Sequence, residues 1–129
     1  MKTELKSNCA PGAIGPYSQA VKAGNFIYVS GQLPIDVKTG LMAADIKEQT
    51  RQSLENIKAI LAEAGATMDN VVKSTVYLAD MSLFGPMNEV YGEFFKDGIY
   101  PARACFAVKE LPKQAQIEIE VVAFHCHEA

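Results

Sequence analysis

The chain has 129 residues, 49% apolar and 21% charged, a globular composition with enough apolar matter for one buried core, and this excludes a disordered chain. Twelve Lys and Arg stand against 15 Asp and Glu, a net charge of −3, which argues against a general nucleic-acid binder, since phosphate contacts need a positive face. No apolar run approaches the roughly 18 residues of a membrane span, and residues 1–8 are polar, without the apolar stretch of a secretory leader.

Residues 8–17 hold Pro11, Gly12, Gly15 and Pro16, a loop composition. Residues 18–21 run through the turn pair Gly24-Asn25 into residues 26–30, a predicted β-hairpin. Gly31, Pro34, Asp36 and Gly40 then predict a long irregular connection. Asp45, with Glu48 three residues on, has capping-box spacing; Ile46, Leu54, Ile57 and Leu61 follow as a helical stripe that Gly65 ends. Residues 71–79 read as a strand, with Val72, Val76 and Leu78 opposing Val71 and Tyr77. A second helix is predicted over 82–96, with Pro86 in its first turn, a stripe of Leu83, Met87, Val90, Tyr91 and Phe94, and a stop at Gly98. Residues 102–108 and 116–124 are predicted strands, with Leu111, Pro112 and Lys113 in the turn between them.

The order ββ, α, β, α, ββ predicts a single α+β domain over 1–129, one mixed sheet with two helices on one face. Both sheet faces carry large apolar groups: Ile27 and Val29 oppose Phe26 and Tyr28. Two helices cover one face, so further copies of the chain are expected to cover the other. The cysteines, Cys9, Cys105 and Cys126, are odd in number and lack paired spacing, which predicts reduced thiols in a cytoplasmic protein.

The chemistry concentrates near the C-terminus. On a strand, Arg103 and Cys105 share one face, while Ala104, Phe106 and Val108 share the other and are expected to meet the helix-covered core. Glu118 and Glu120 share a face opposite Ile117, Ile119 and Val121. If the last two strands pair as a hairpin with polar faces together, Arg103, Cys105 and Glu118 gather on the side facing a partner subunit. Arg presents a planar fork to a substrate carboxylate, and Glu takes a proton from water. The same residues also fit a structural role, Arg103 and Glu118 as an intersubunit ion pair and Cys105 as a small core residue. Gly12 to Gly15 lacks the preceding strand and following helix of a phosphate loop. His125-Cys126-His127 holds the only two histidines and has no second ligand pair elsewhere, so no metal site is predicted.

Five segments carry a resemblance: Ile14-Gly15-Pro16-Tyr17-Ser18-Gln19, Ser30-Gly31-Gln32-Leu33-Pro34, Arg51-Gln52-Ser53-Leu54-Glu55-Asn56-Ile57, Pro101-Ala102-Arg103-Ala104-Cys105 and Ile117-Glu118-Ile119-Glu120. In order and spacing, over residues 8–124, they resemble the Rid (YjgF) family of reactive-intermediate deaminases, and the RidA subgroup within it. The resemblance implies a chorismate-mutase-like fold and a homotrimer whose sheets form an inner barrel, with three sites in clefts between subunits. It implies hydrolysis of 2-enamino and 2-imino acids, such as 2-aminoacrylate/2-iminopropanoate and 2-iminobutanoate, to 2-keto acids and ammonia. Pyridoxal-phosphate dehydratases would release these substrates, and no cofactor would be used. By the same resemblance Arg103 binds the substrate carboxylate, Glu118 activates water and Cys105 shapes the site beside them. Tyr17 covers the substrate from a neighbouring subunit, Ser30 and Gly31 line the carboxylate end, and Asn88 is a polar residue of the cleft. Ala104 stands where serine is frequent in the family, and the His125-Cys126-His127 tail lies outside its pattern. Two other activities are weighed: a non-catalytic trimer that binds small carboxylates, and a ribonuclease or translation inhibitor. Against the latter stand the acidity and the confinement of both histidines to the last five residues.

Overall fold

The computed structural model describes residues 1–126. The elements are β1 (Lys2–Leu5), β2 (Ala20–Ala23), β3 (Phe26–Gln32), β4 (Ile35–Asp36), β5 (Leu41–Met42), α1 (Ile46–Ala62), β6 (Val71–Leu78), α2 (Phe84–Phe95), β7 (Ala102–Ala107) and β8 (Ile117–Phe124). Six strands form one sheet in the order β1-β2-β3-β8-β6-β7, and β4 and β5 make a small separate hairpin. Every neighbouring pair is antiparallel except β6 and β7, which run parallel. The α+β class and the mixed sheet are as the sequence predicts.

Local chemistry explains the boundaries. The β2–β3 turn needs left-handed backbone, which Gly24 supplies at φ +61°. Asp45 caps α1 by accepting the Glu48 N–H at 3.2 Å. Gly65, at φ +75°, turns the chain just past its end. The predicted second helix is two pieces: a short 3-10 turn at Met81–Leu83, capped by Asp80, and then α2. Its buried stripe is Met87, Val90, Tyr91 and Phe95, with Phe94 only partly covered. Ile27, Val29, Val76, Leu78, Ile117, Ile119 and Val121 pack from the sheet against Leu54, Ile57 and Leu61.

Several expectations are corrected. The irregular connection after Gly31 contains the β4–β5 hairpin, and polar β1 adds an edge strand. A register shift at the start of β6 pairs Val71 with Ala123 and Lys73 with Val122. This extra residue inverts the alternation, so Val71 is buried and Val72 is 45% exposed.

The largest correction concerns the last two strands, which do not pair. β8 lies between β3 and β6, and β7 is the outer strand beyond β6. Ser74 stands opposite Arg103, and Val76 opposite Cys105. Ser74 and Val76 are buried beneath the helices, so Arg103 and Cys105 share that side. Tyr77 pairs with both Phe106 and Glu118, and Thr75 with Glu120, which places these groups on the open face. Phe106 is therefore 46% exposed rather than in the helix-covered core. Arg103 and Glu118 lie on opposite faces of their own sheet. Alternation within each strand is as expected; a parallel crossover, which alternation cannot reveal, fixes the relation between strands.

Candidate active site

The expected site residues fall into two groups. The cationic group lies where α2 covers the sheet edge. The Arg103 guanidinium sits 4.7 Å from the Tyr91 ring centroid and 5.5 Å from that of Phe84. It donates through Nη1 to Asn88 Oδ1 at 2.7 Å. The Tyr91 hydroxyl is anchored in turn to Ser74 Oγ at 2.6 Å. Ring faces and a side-chain amide thus hold the cation without neutralising it. No carboxylate among the described residues pairs with Arg103. Cys105 stands two residues on, half-buried against the core. Burial pushes its thiol up and Arg103 only partly offsets this, so it is not an activated thiolate.

The anionic group lies on the other face. Tyr17, Ser30, Gly31, Glu118 and Glu120 line a single cavity of about 700 Å³. The N-terminal loop brings Tyr17 there, and β3 brings Ser30 and Gly31. Gly31 sits where the β3–β8 register shifts between Val29 and Gln32. A Cβ built on it would stand 2.7 Å from Glu118 Oε2, so only glycine leaves the Glu118 carboxyl in this position. The Ser30 hydroxyl donates to the Ser18 carbonyl at 2.6 Å, which fixes the strand rather than leaving the hydroxyl to a ligand. Burial raises the Glu118 carboxyl above its ordinary range, and the neighbouring Glu120 raises it further. No hydrogen bond or cation within the described chain counters either effect.

The structure thus joins Arg103, Asn88 and Cys105 in one group, and Tyr17, Ser30, Gly31 and Glu118 in the other. It also shows supporting residues that sequence reasoning missed. Gln19 is buried and ties down the N-terminal loop through four hydrogen bonds, accepting from Ser7 N and donating to the carbonyls of Ser7, Ala10 and Pro11. Asn56 of α1 donates to the carbonyls of Leu33 and Ile35, which ties the segment after Gly31 to the helix. Phe84, Tyr91 and Ser74 build the cradle of Arg103. The sequence offered a hint in Tyr91, a hydroxyl on a buried stripe that needs a partner.

Among the described residues, no group of three or more His, Cys, Asp or Glu is placed to hold a metal ion. The backbone N–H of His125 donates to the Asn25 carbonyl, Cys126 is exposed, and His127 lies outside the described residues. No helix among them is long and apolar enough to cross a membrane.

The fold defines the chorismate-mutase-like class of small α+β proteins, and comparison with known proteins narrows it. The pattern of a family described as endoribonuclease L-PSP matches residues 7–125. A RutC family protein of Pyrococcus horikoshii is 55% identical over 125 residues, covering 96% of this chain and 98% of its own. A relative in Escherichia coli K12, provisionally named reactive intermediate deaminase TdcF, is 44% identical over 125 residues, covering 95% and 97%. The crystal structure of E. coli TdcF with bound serine superposes with a TM-score of 0.93 at 42% identity, covering 95% of this chain and 98% of that one. YyfA of Yersinia pestis, described as a Rid family protein of unknown function, superposes at 0.94 with 44% identity, covering 96% and 99%. The chain belongs to the Rid family, also called YjgF, and the likeness to TdcF supports reactive-intermediate deamination as its general activity.

Proposed function

We propose that the protein hydrolyses 2-imino and 2-enamino acids, such as 2-iminopropanoate and 2-iminobutanoate, to 2-keto acids and ammonia, in sites completed between the subunits of a homotrimer. One observation carries this reading. Arg103 is a partly buried cation with no carboxylate partner among the described residues, and Glu118 is a partly buried carboxylate with no cation partner among them, on the opposite face. Neither arrangement is favourable in an isolated chain. A second copy resolves both by bringing the Arg103, Asn88 and Cys105 group of one chain to the Glu118, Tyr17 and Gly31 group of another. β7 is the outer strand of the sheet, so Arg103 stands at a rim that a neighbour can reach.

The chemistry follows from the two charges. Arg103 takes the substrate carboxylate through its free guanidinium nitrogens. Glu118 accepts a proton as water oxygen bonds to the iminium carbon and the C=N electron pair moves to nitrogen. Glu118 then returns that proton to the nitrogen. The C–N bond then breaks with its electron pair going to nitrogen, so that ammonia leaves as the hydroxyl oxygen forms the keto C=O; Glu118 takes the hydroxyl proton and passes it to the departing ammonia, which is released as ammonium. An iminium carbon is already electrophilic, so positioning and one proton shuttle supply the acceleration. Serine bound in TdcF fits a site for small amino-acid-like carboxylates. Enzymes that eliminate water from serine or threonine on pyridoxal phosphate would supply the substrates.

Subunit mixing tests the reading. 2-Aminoacrylate is generated with a pyridoxal-phosphate serine dehydratase, and its hydrolysis is followed as disappearance of the enamine. Arg103→Ala and Glu118→Gln are each expected to lose at least about 100-fold in turnover. Refolded together in equal amounts, they should recover about a quarter of wild-type activity, the chance that two intact halves meet in a randomly mixed closed ring. Mixing without recovery would show that both residues act within one chain, and full activity in either single variant would overturn the site.

A further inference from the structure

Glu118 does not stand alone on the open face. Glu120, two residues along β8, shares that face and the same cavity. The Tyr77 hydroxyl of β6 donates to Glu120 Oε1. Tyr77 is itself the cross-strand partner of Glu118, and its ring stands edge-on to Phe106 with centroids 5.3 Å apart. One carboxylate is thus pinned by a donor that is packed in place, while the other is left free to act. Resting on the reading of Glu118 as the proton-transfer group, we propose that Glu120, held by Tyr77, is a positioning residue whose fixed negative charge sets how readily Glu118 takes and returns its proton.

The need for such a residue is electrostatic. A carboxylate set against an arginine is a weak base, because the cation favours its charged form. A proton shuttle works best when the affinity of the group lies near the working pH. The titratable groups around Glu118 are Glu120 on its own strand, Tyr77 from β6, and Tyr17 and Lys113 from the two loops beside the cavity; Tyr28 of β3 stands further along, opposite Val122. A second copy's Arg103 joins them in the assembled site. Among the charged groups of the described residues, Glu120 alone perturbs Glu118, and in the direction that opposes Arg103. Tyr77 is pushed up to about 12, mainly by its bond to Glu120, so it stays a neutral donor at working pH. Two neighbouring carboxylates on one strand face cost stability, which a purely structural sheet would avoid with an apolar or neutral pair.

The assembled full-length protein tests this in two measurements. The first is kcat/KM against pH for wild type, Glu120→Gln, Glu120→Asp, Tyr77→Phe and Glu118→Gln, with enzymatically generated 2-aminoacrylate. The second is carbon-13 carboxyl NMR, in which the Glu118 signal is the one missing from Glu118→Gln. Glu120→Gln should move both the acid limb of the rate profile and the Glu118 midpoint to lower pH. It should lower kcat about tenfold at neutral pH and leave KM within about twofold. Glu120→Asp should restore the limb, and Tyr77→Phe should fall between Glu120→Gln and wild type. A Glu118 midpoint unmoved by Glu120→Gln would overturn the proposal and leave Tyr77–Glu120 a cross-strand hydrogen bond only. Full activity in Glu118→Gln would overturn the reading of Glu118 itself, and with it any catalytic use of the pair.

Discussion

Gly31 shows how a single atom's absence can serve a site. Its backbone runs so close to Glu118 that an added Cβ would stand 2.7 Å from Oε2 and 2.8 Å from Cδ. The carboxyl end of a glutamate is movable, so Gly31→Ala is expected to fold and assemble, with Glu118 displaced rather than the strand. A displacement near 1 Å at a reacting group costs about 100-fold in rate. The expected outcome is that loss in kcat, with far-UV circular dichroism and assembly mass unchanged; wild-type kcat would show that Glu118 does not work from the position seen. At this scale the sequence was legible in kind but not in place. Arg103 and Glu118 stand out as residue types beside a reactive C=N bond, and alternation assigns Glu118 to Glu120's side and Arg103 to Cys105's side. Which side faces the helices depends on Ser74 and Val76 across a parallel pairing, and nothing within residues 101–108 records that.

Elements were legible where their signals are local. Asp45 and Gly65 bracket α1 because a cap and a left-handed stop act within a few residues. The β4–β5 hairpin and β1 escaped because strands of two to four residues carry too little alternation to register. Nearness in sequence predicts a β7–β8 hairpin, but β8 inserts between β3 and β6, so the two are not neighbours in the sheet. The N-terminal loop reads as irregular from its prolines and glycines, yet it is pinned. Gln19 closes it with a donor-and-acceptor amide that no shorter side chain could replace. Gln19→Ala leaves the Ser7 N–H and three carbonyls to find other partners and should cost about 1–3 kcal/mol in denaturant unfolding. It should also speed proteolysis within residues 8–17 and raise KM, because Tyr17 rides on that loop. Gln19→Glu keeps the acceptor and loses the donors, so it should resemble the alanine variant. A Gln19→Ala protein with unchanged stability and unchanged loop cleavage would show that the loop is held by other contacts.

For the whole molecule, the open sheet face decides whether the two half-sites can meet. It carries Phe26, Tyr28, Phe106 and Phe124, each more than a third exposed in the single chain. Phe26 packs edge-on against Phe124, centroids 5.3 Å apart, as Phe106 does against Tyr77. A patch of rings on a sheet face is the kind of surface that association covers. We propose that copies of this chain cover it, sheet to sheet, and that the same contact carries Arg103 of one copy to Glu118 of the next. Tyr28 lies on β3 opposite Val122 of β8, and it is 47% exposed. In a lone chain Tyr28→Asp is a surface change, worth within about 0.5 kcal/mol. Beneath a partner's sheet it buries an unpaired charge, which costs several kcal/mol. Light scattering on Tyr28→Asp should therefore show mass falling from that of the proposed trimer to the single chain, with far-UV circular dichroism retained. Deaminase activity should fall in step, because each chain keeps both groups but on opposite faces of one sheet. A variant with wild-type mass and activity would mean that this face is not the contact, and that the arginine and the glutamate are brought together by some other edge of the molecule.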